Sequence, residues 1–366
     1  MIINTVIFFV VLLSLVMIHE LGHFIAAKLS KMRVEEFAFG FPPKLFGKKI
    51  GETLYAFNLL PIGGYVKITG ESFDPEEREK LKTDKMAFQN RPRYMQVFVL
   101  IAGVAMNLFL AAVIFFFINT QSHLVDSTDA KYAKYMSAPK VYVTSVLPNS
   151  PSQSAGLSMG DELVSMTSGR EQAVLTSPQS VVDFVKQHSE SSINIVYKNK
   201  NGRESQATIS AVYGLIPDRK SVGISVISGQ YIQLSVIDSI KSAFSDTYNY
   251  TKLTIAGLAD IFVKLTKGEN VMSSLSGPVG IAKIVGGASD SGYQSLLFVI
   301  AILSINLAVF NILPVPALDG GRILFVLYEA VTRRSINYKV QYYANAIGFL
   351  LLISLMVITT YFDIFK

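Results

Sequence analysis

The chain has 366 residues, of which 50% are hydrophobic and only 16% charged, and its mean hydropathy is +0.39. That is too apolar for an ordinary soluble protein and too polar for a bundle with only short loops, so a membrane protein carrying one sizeable soluble domain is expected. The net charge of +6 comes without a Lys/Arg cluster interleaved with aromatics, which argues against a nucleic-acid face, and the absence of cysteine excludes disulfides, thiolate metal sites and a cysteine nucleophile.

From the N-terminus, residues 1–5 hold no Lys or Arg, and the apolar run beyond them leads into His19-Glu20-Leu21-Gly22-His23 without a small-residue cleavage site. It reads as a retained span and not as a signal peptide. Stretches 2–29, 94–119, 296–313 and 343–362 are each apolar over enough residues to cross a hydrocarbon core, which takes about 20 in a helix. Between the first two, residues 53–68 read as two short strands around a Pro61-Ile62-Gly63-Gly64 turn, a hairpin apolar enough to dip into the membrane interface. Residues 71–85 are charge-dense and read as a solvated helix or linker without chemistry.

Residues 139–226 read as a small β-rich domain, with strand-like alternation at 141–146, 162–166, 192–197 and 206–210, a helix over 178–188, and a hairpin turn at Asn199-Lys200-Asn201-Gly202. Within segment 227–290, Ile237, Ile240, Phe244, Tyr248, Leu253 and Leu258 recur at helical spacing, which predicts amphipathic helices at the membrane surface. The third span should break at Asn311-Ile312-Leu313-Pro314-Val315-Pro316, because proline lacks an N–H and clashes with the preceding turn. Such a break at membrane depth is tolerated only where it lines a protein-enclosed cavity. The chain thus divides into membrane segments 1–120 and 291–366 around an inserted domain. Lys and Arg crowd the loop between the first two spans (Lys28, Lys31, Arg33, Lys44, Lys48 and Lys49 among them), whereas residues 120–130 have none. By the positive-inside rule that loop is cytoplasmic, and both termini and the β-rich domain are extracytoplasmic.

His19, Glu20 and His23 form H-E-x-x-H. On a helix, positions i and i+4 share a face, so both imidazoles can reach one zinc while Glu20 activates water beside it. The alternative is a polar helix-packing patch, but ionisable groups inside an apolar span are costly and point to function. A third zinc ligand is needed. His123 and His188 lie outside the spans, which leaves Asp319 at the broken third span, where Gly320 and Gly321 would allow close approach of the first helix. Asp319 could instead cap a helix beginning near Gly321.

Together, His19–His23, the Asn311–Gly321 segment and the loop Pro61-Ile62-Gly63-Gly64-Tyr65-Val66-Lys67 resemble the site-2 family of intramembrane zinc metalloproteases, in its bacterial regulator-of-sigma-E protease branch. Phe88-Gln89-Asn90-Arg91-Pro92, Ala102-Gly103-Val104-Ala105-Met106-Asn107 and Ser276-Gly277-Pro278-Val279-Gly280 match as well, so the resemblance covers nearly the whole chain. It departs at Gly103-Val104, where Gly-Pro is usual, and at Gly40-Phe41-Pro42-Pro43, where Gly-Phe-Gly-Pro is usual.

The resemblance implies one zinc ion per chain, with Asp319 as third ligand and Asn311 helping to position substrate. It also implies that the hairpin, through Tyr55, Phe57, Asn58, Gly63 and Gly64, pairs with substrate as a β-strand. The inserted domain resembles a single PDZ domain, with Ala155, Gly156, Leu157, Gly160 and Asp161 in its peptide-binding turn; the alternative is a steric filter on substrate size. The implied activity is cleavage of transmembrane segments of single-span proteins, already trimmed by another protease, such as anti-sigma factors or remnant signal peptides. The implied location is a bacterial inner membrane. A non-catalytic scaffold or chaperone acting through the PDZ-like domain is the second reading, and the intact Glu20 argues against it.

Overall fold

The structure, a computed structural model, describes residues 2–72, 75–147, 150–199, 202–216, 219–269, 271 and 275–365. In chain order its elements are α1 (Ile2–Leu29), β1 (Val34–Ile50), β2 (Thr53–Ile68), α2 (Pro75–Lys80), α3 (Arg93–Thr120), β3 (His123–Asp126), β4 (Lys140–Val146), α4 (Pro151–Ser154), β5 (Glu162–Ser168), β6 (Glu171–Val174), α5 (Pro178–Gln187), β7 (Ser192–Lys198), β8 (Glu204–Ser210), β9 (Val212–Ile216), β10 (Arg219–Ser221), β11 (Ile224–Ile232), α6 (Val236–Thr266), α7 (Pro278–Asp290), α8 (Tyr293–Ile312), α9 (Asp319–Thr332) and α10 (Tyr338–Phe365). They form two compact units, Met1–Ile118 with Val236–Lys366, and Asn119–Ser235.

In the first unit, four helices among the described residues are long and apolar enough to cross a membrane: Ile3–Leu29, Arg93–Thr120, Tyr293–Ile312 and Tyr338–Phe365. They correspond to the four stretches read from the sequence. The expected break in the third is present: α8 stops at Ile312, and Leu313, restricted by the following proline, is extended at φ −59°, ψ 143°. The chain restarts as α9 six residues later. Ala317, in the connecting turn, holds the left-handed φ of 80°, a conformation that costs an L-residue about 1–2 kcal/mol.

The segment 34–68 departs from the expected hairpin. Strands β1 and β2 pair antiparallel around the turn at Gly51 and Glu52, and each is bent back on itself. Phe39 lies opposite both Gly64 and Phe57, and Phe57 opposite both Phe39 and Phe46. Four lengths of chain therefore lie side by side in the order 44–50, 53–58, 34–41, 60–68. The bend at Pro61–Gly64 does not join two paired strands. It carries the chain across from one side of 34–41 to the other, and the length between them buries Val34, Phe37, Ala38 and Gly40.

Segment 227–290 begins as the end of β11 and continues as α6 and α7, so its helical part starts later than the sequence boundary. Helix α6 sets small and aromatic residues against α3 and α8: Ala243 is buried with Ala111, Ile114 and Ile305, Tyr250 stacks on Phe115 at 5.4 Å, and Thr254 donates to Asn306 at 2.9 Å.

The second unit holds a seven-stranded sheet in the order β3-β11-β4-β5-β7-β8, with β6 pairing β5. It is wider than 139–226 because β3 pairs with the far end of β11, from Asp126 opposite Gly229 to His123 opposite Ile232. Inward-facing Val141, Val143, Leu163, Met166, Ile193 and Ile195 pack beneath α5, which presents Val181, Phe184 and Val185. A capping box of Ser177 and Ser180, with Pro178 at the first helical position, starts α5. Lys200 and Asn201 of the expected hairpin turn lie outside the described residues; Asn199 N–H donates to Arg203 O and Gly202 N–H to Asn199 O at its flanks.

At one end of the first unit a nearly buried carboxylate joins three helices. Glu329 on α9 accepts from Arg93 at the start of α3 (2.7 Å), from the Ile336 N–H (3.0 Å) and from Gln341 on α10 (3.3 Å). Glu329→Ala leaves these donors without their acceptor and is expected to destabilise the unit by about 2 kcal/mol, with Glu329→Gln costing less. Thermal unfolding in detergent micelles measures it.

Candidate metal centre

Between Ser14 and Lys28, helix α1 carries no polar side chain apart from the two imidazoles and the carboxylate of its H-E-x-x-H segment. His19 and His23 are 6% and 7% exposed, and their Nε2 atoms lie 3.1 Å apart on one face. Asp319, the first residue of α9, places Oδ2 3.0 Å from His19 Nε2 and 3.2 Å from His23 Nε2. Three acceptor atoms would not converge in this way for their own sake. Zinc ligands at about 2.0–2.1 Å in a tetrahedron stand about 3.3 Å apart, close to these separations, so the donor set fits zinc. Among the described residues this is the one group of three such side chains arranged to hold a metal ion. The capping alternative for Asp319 is not realised, since the residue before the helix is Leu318 and no side chain caps it.

The far sides of the imidazoles are also fixed. His23 Nδ1 donates to the Val99 carbonyl at 2.9 Å, which leaves Nε2 as the free lone pair. His19 Nδ1 faces the amide of Asn107 at 3.2 Å. Asn107 is fully buried and its Oδ1 has no hydrogen-bond partner. Rotating the amide by half a turn sets that oxygen opposite a His19 Nδ1–H and orients the ring for metal through Nε2. The Asn107 backbone carbonyl accepts from Ser304 at 2.8 Å, tying α3 to α8.

Three glycines make this convergence sterically possible. A Cβ at Gly103 would stand 2.5 Å from His23 Nε2 and 2.7 Å from His19 Cε1, so α3 reaches the imidazoles only as glycine. A Cβ at Gly320 would meet the Ile312 and Leu313 carbonyls at 2.2 Å, and one at Gly321 the Val315 carbonyl at 2.4 Å. These two glycines fold α9 back onto the end of α8. The close approach expected of them was to the first helix; the structure makes it to the broken span instead, because the turn of 313–318 is too short for anything but backbone contact.

Glu20 does not join the three ligand atoms. Its Oε2 accepts the Val66 N–H at 2.9 Å, and it lines a pocket of about 370 Å³ with His19, His23, Tyr65, Asn311 and Asp319. Asn311, at the end of α8, points Nδ2 to within 3.5 Å of His19 Nε2. Glu71, from the charge-dense segment assigned no chemistry, also lines the pocket and pairs with Arg322, one turn beyond Asp319 on α9.

The remaining predicted site residues are not brought here. Tyr55 and Phe57 lie in the 53–58 length, which has strands on both sides, and Phe57 stacks on Phe39 and Phe46. Asn58 is buried and donates to Gly40 O. Gly63 lies beside Phe41, and Gly64 lets Met17 of α1 approach the sheet. In the second unit, the turn Ala155–Asp161 is largely occupied with itself. The N–H groups of Ala155, Gly156, Leu157 and Asp161 donate to Pro151, Gln153, Ser152 and Ser158, Gly160 N–H donates to Val143, and Ser158 N–H to the Asp161 carboxylate. Those donors are not available to a peptide carboxylate. Val66, Asn107 and Gly103 were missed as individual residues, although 102–107 and 61–67 stood out as segments. Only the pairing of elements assigns them work.

A sequence profile described as peptidase family M50 matches residues 7–355. Zinc metalloprotease RasP of Geobacillus kaustophilus is 30% identical over 438 residues, covering 98% of this chain and 97% of the relative. Regulator of sigma-W protease RasP of Bacillus subtilis is 28% identical over 431 residues, covering 100% and 99%.

The contacts around the imidazoles predict graded effects on metal. Asp319→Ala should reduce bound zinc well below one per chain. Asn107→Leu, which removes the polar partner of His19, should weaken zinc affinity by about 10–100-fold. Gly103→Ala should do the same by displacing the rings. Elemental analysis and competition with a zinc chelator measure all three.

Proposed function

The chain belongs to peptidase family M50 and is a zinc metalloprotease of the site-2 type; from that premise we propose that it hydrolyses peptide bonds within the transmembrane segments of single-span proteins, with Glu20 as general base. The observation that carries this reading is Glu20 itself. It is held by the Val66 N–H beside His19, His23 and Asp319, inside a pocket lined by α1, β2, the end of α8 and the start of α9.

His19, His23 and Asp319 would hold the zinc. When bound, the metal supplies Lewis acidity and makes water a competent nucleophile near neutral pH. Glu20 takes the proton from the attacking water as the C–O bond forms, and returns it to the leaving amide nitrogen as the C–N bond breaks. Asn311, whose Nδ2 lies 3.5 Å from His19 Nε2, would donate to the substrate carbonyl and hold it in the pocket. A helical substrate hides that carbonyl in its own hydrogen bonds, so it must be unwound first. The 60–68 length of β2 lies at the edge of its sheet with Val66 turned toward the pocket, and a substrate strand added there regains the bonds it loses. The reading thus moves substrate pairing from Tyr55, Phe57 and Asn58 to the neighbourhood of Gly64, Val66 and Ile68.

The relative from Bacillus subtilis is named as a regulator of sigma-W, which favours anti-sigma factors as one substrate class; remnant signal peptides fit the same chemistry. The reading includes a bacterial inner-membrane location with the loop between α1 and α3 cytoplasmic. It also includes a PDZ-like second unit outside, excluding substrates that still carry bulky ectodomains. For that unit, the internal hydrogen bonds of Ala155–Asp161 favour the size filter over carboxylate capture by this turn.

Glu20→Gln is expected to keep its zinc and lose cleavage of a tagged transmembrane substrate by about 10²–10⁴-fold in reconstituted vesicles. Equal cleavage by wild type and variant would remove Glu20 from the mechanism. The filter has its own measurement, a series of ectodomain truncations of one substrate. Cleavage should rise as the ectodomain shortens, and a flat series would dismiss it.

A further inference from the structure

The β1–β2 sheet changes character along its length. Val34–Gly40 are mostly buried, whereas residues 41–50 are exposed throughout. Leu45, Phe46, Phe57, Leu59 and Leu60 are exposed large apolar side chains; Phe46 is 62% exposed although its ring stacks on Phe57, and Phe57 on Phe39. A contiguous apolar face of this kind is not left to water. Its occupant is identified by how the rows of the sheet line up with α1.

One row runs Phe46, Phe57, Phe39, Gly64, and Gly64 abuts Met17 on α1. Two positions along, past Gly47, Ala56, Ala38 and Tyr65, a row on the same face runs Lys48, Tyr55, Phe37, Val66, and the Phe37 ring lies 5.1 Å from Phe24, seven residues and about 10 Å further along α1. The row after it, on the opposite face, runs Lys49, Leu54, Glu36, Lys67. Lys48 and Lys49 therefore stand at the end of the sheet that lies beside the end of α1, which finishes in Lys28 and Leu29 and is followed by Lys31. Residues 41–51 hold Lys44, Lys48 and Lys49 and no acidic residue, and Glu52 follows in the turn. Lys67 is committed to Glu35 at 2.7 Å, and Lys44, opposite buried Asn58, lies at the other end of the face.

We propose that this outer half of the sheet faces lipid, its aromatic row among the acyl chains, and that Lys48 and Lys49, level with Lys28 and Lys31, bind the headgroups of anionic phospholipids. Aromatic rings below a band of lysines is the order in which side chains settle at a bilayer interface, and lysine stems are long enough to keep the charge at headgroup level. A protein partner would have no reason to match its lysines to the end of a span. The same sheet carries Val66, which holds Glu20, so headgroups bound at one side fix the strand that positions the base at the other.

The chain contains no tryptophan, so Phe46→Trp, at an exposed position, provides a single fluorescent reporter, with zinc content checking that the fold is kept. The protein is reconstituted in phosphatidylcholine vesicles carrying equal fractions of either brominated phosphatidylcholine or brominated phosphatidylglycerol. Quenching is expected from both lipids and to be stronger from phosphatidylglycerol. Lys48→Gln and Lys49→Gln should each reduce that preference by about fivefold, and Lys44→Gln should leave it. Equal quenching by the two lipids overturns headgroup binding. Quenching by neither overturns the lipid-facing assignment and leaves the face to a protein. Neither result depends on cleavage of any substrate.

Discussion

Two imidazoles buried in an apolar helix, turned toward one carboxylate, are the constraint around which the first unit is built. Polar groups at this depth need every hydrogen-bonding atom answered, and answering them brings three other elements to α1. Helix α3 comes near enough to offer the Val99 carbonyl and the Asn107 amide only because residue 103 has no side chain. Helix α9 starts with Asp319 in place only because Gly320 and Gly321 let it fold back on the end of α8. The sheet reaches Glu20 through one N–H, that of Val66.

Each approach has a cost in local stability. The break after Ile312 gives up helical hydrogen bonds, and Ala317 takes a conformation that L-residues avoid. Rigid surroundings hold these features: Ser304 on α8 is bonded to the Asn107 carbonyl, and Glu329 pins α9 to α3 and α10. A metal site needs such support, because an imidazole free to turn on its axis presents its lone pair to the metal only part of the time. Glu20 is supported differently. It is fixed by the backbone of a strand and not by a side chain, so β2 and α1 are joined beside the ligand group by a single N–H.

Much of this was legible before any coordinates. The four spans, the break at Pro314 and the H-E-x-x-H pair follow from local rules, since apolar length, proline geometry and i, i+4 spacing act within a few residues. Asp319 taken alone reads first as a helix cap, and only the H-E-x-x-H pair lacking a third ligand turns the reading to metal binding. The sheet was misread for a physical reason. A Pro/Gly bend looks the same whether the chain turns back on its neighbour or crosses over a third strand, and only the partner, thirty residues earlier, decides which. The turn at Ala155–Asp161 poses the same difficulty, because the sequence displays its donors and does not disclose their internal acceptors. Glu71 was passed over as one charge among many, and its partner lies 251 residues away.

The sequence by itself determined four apolar helices long enough to span a membrane and an H-E-x-x-H pair on the first of them, because composition, periodicity and short-range spacing encode those properties within single elements. It also determined the family, since the motifs keep their order along nearly the whole chain. Only the tertiary structure decided which atoms the two imidazoles and Asp319 answer to, that Val66 holds Glu20, and which edge of the sheet meets the pocket. Those depend on contacts between residues far apart in the chain, where a missing Cβ or one backbone N–H sets the geometry and leaves no local pattern to read.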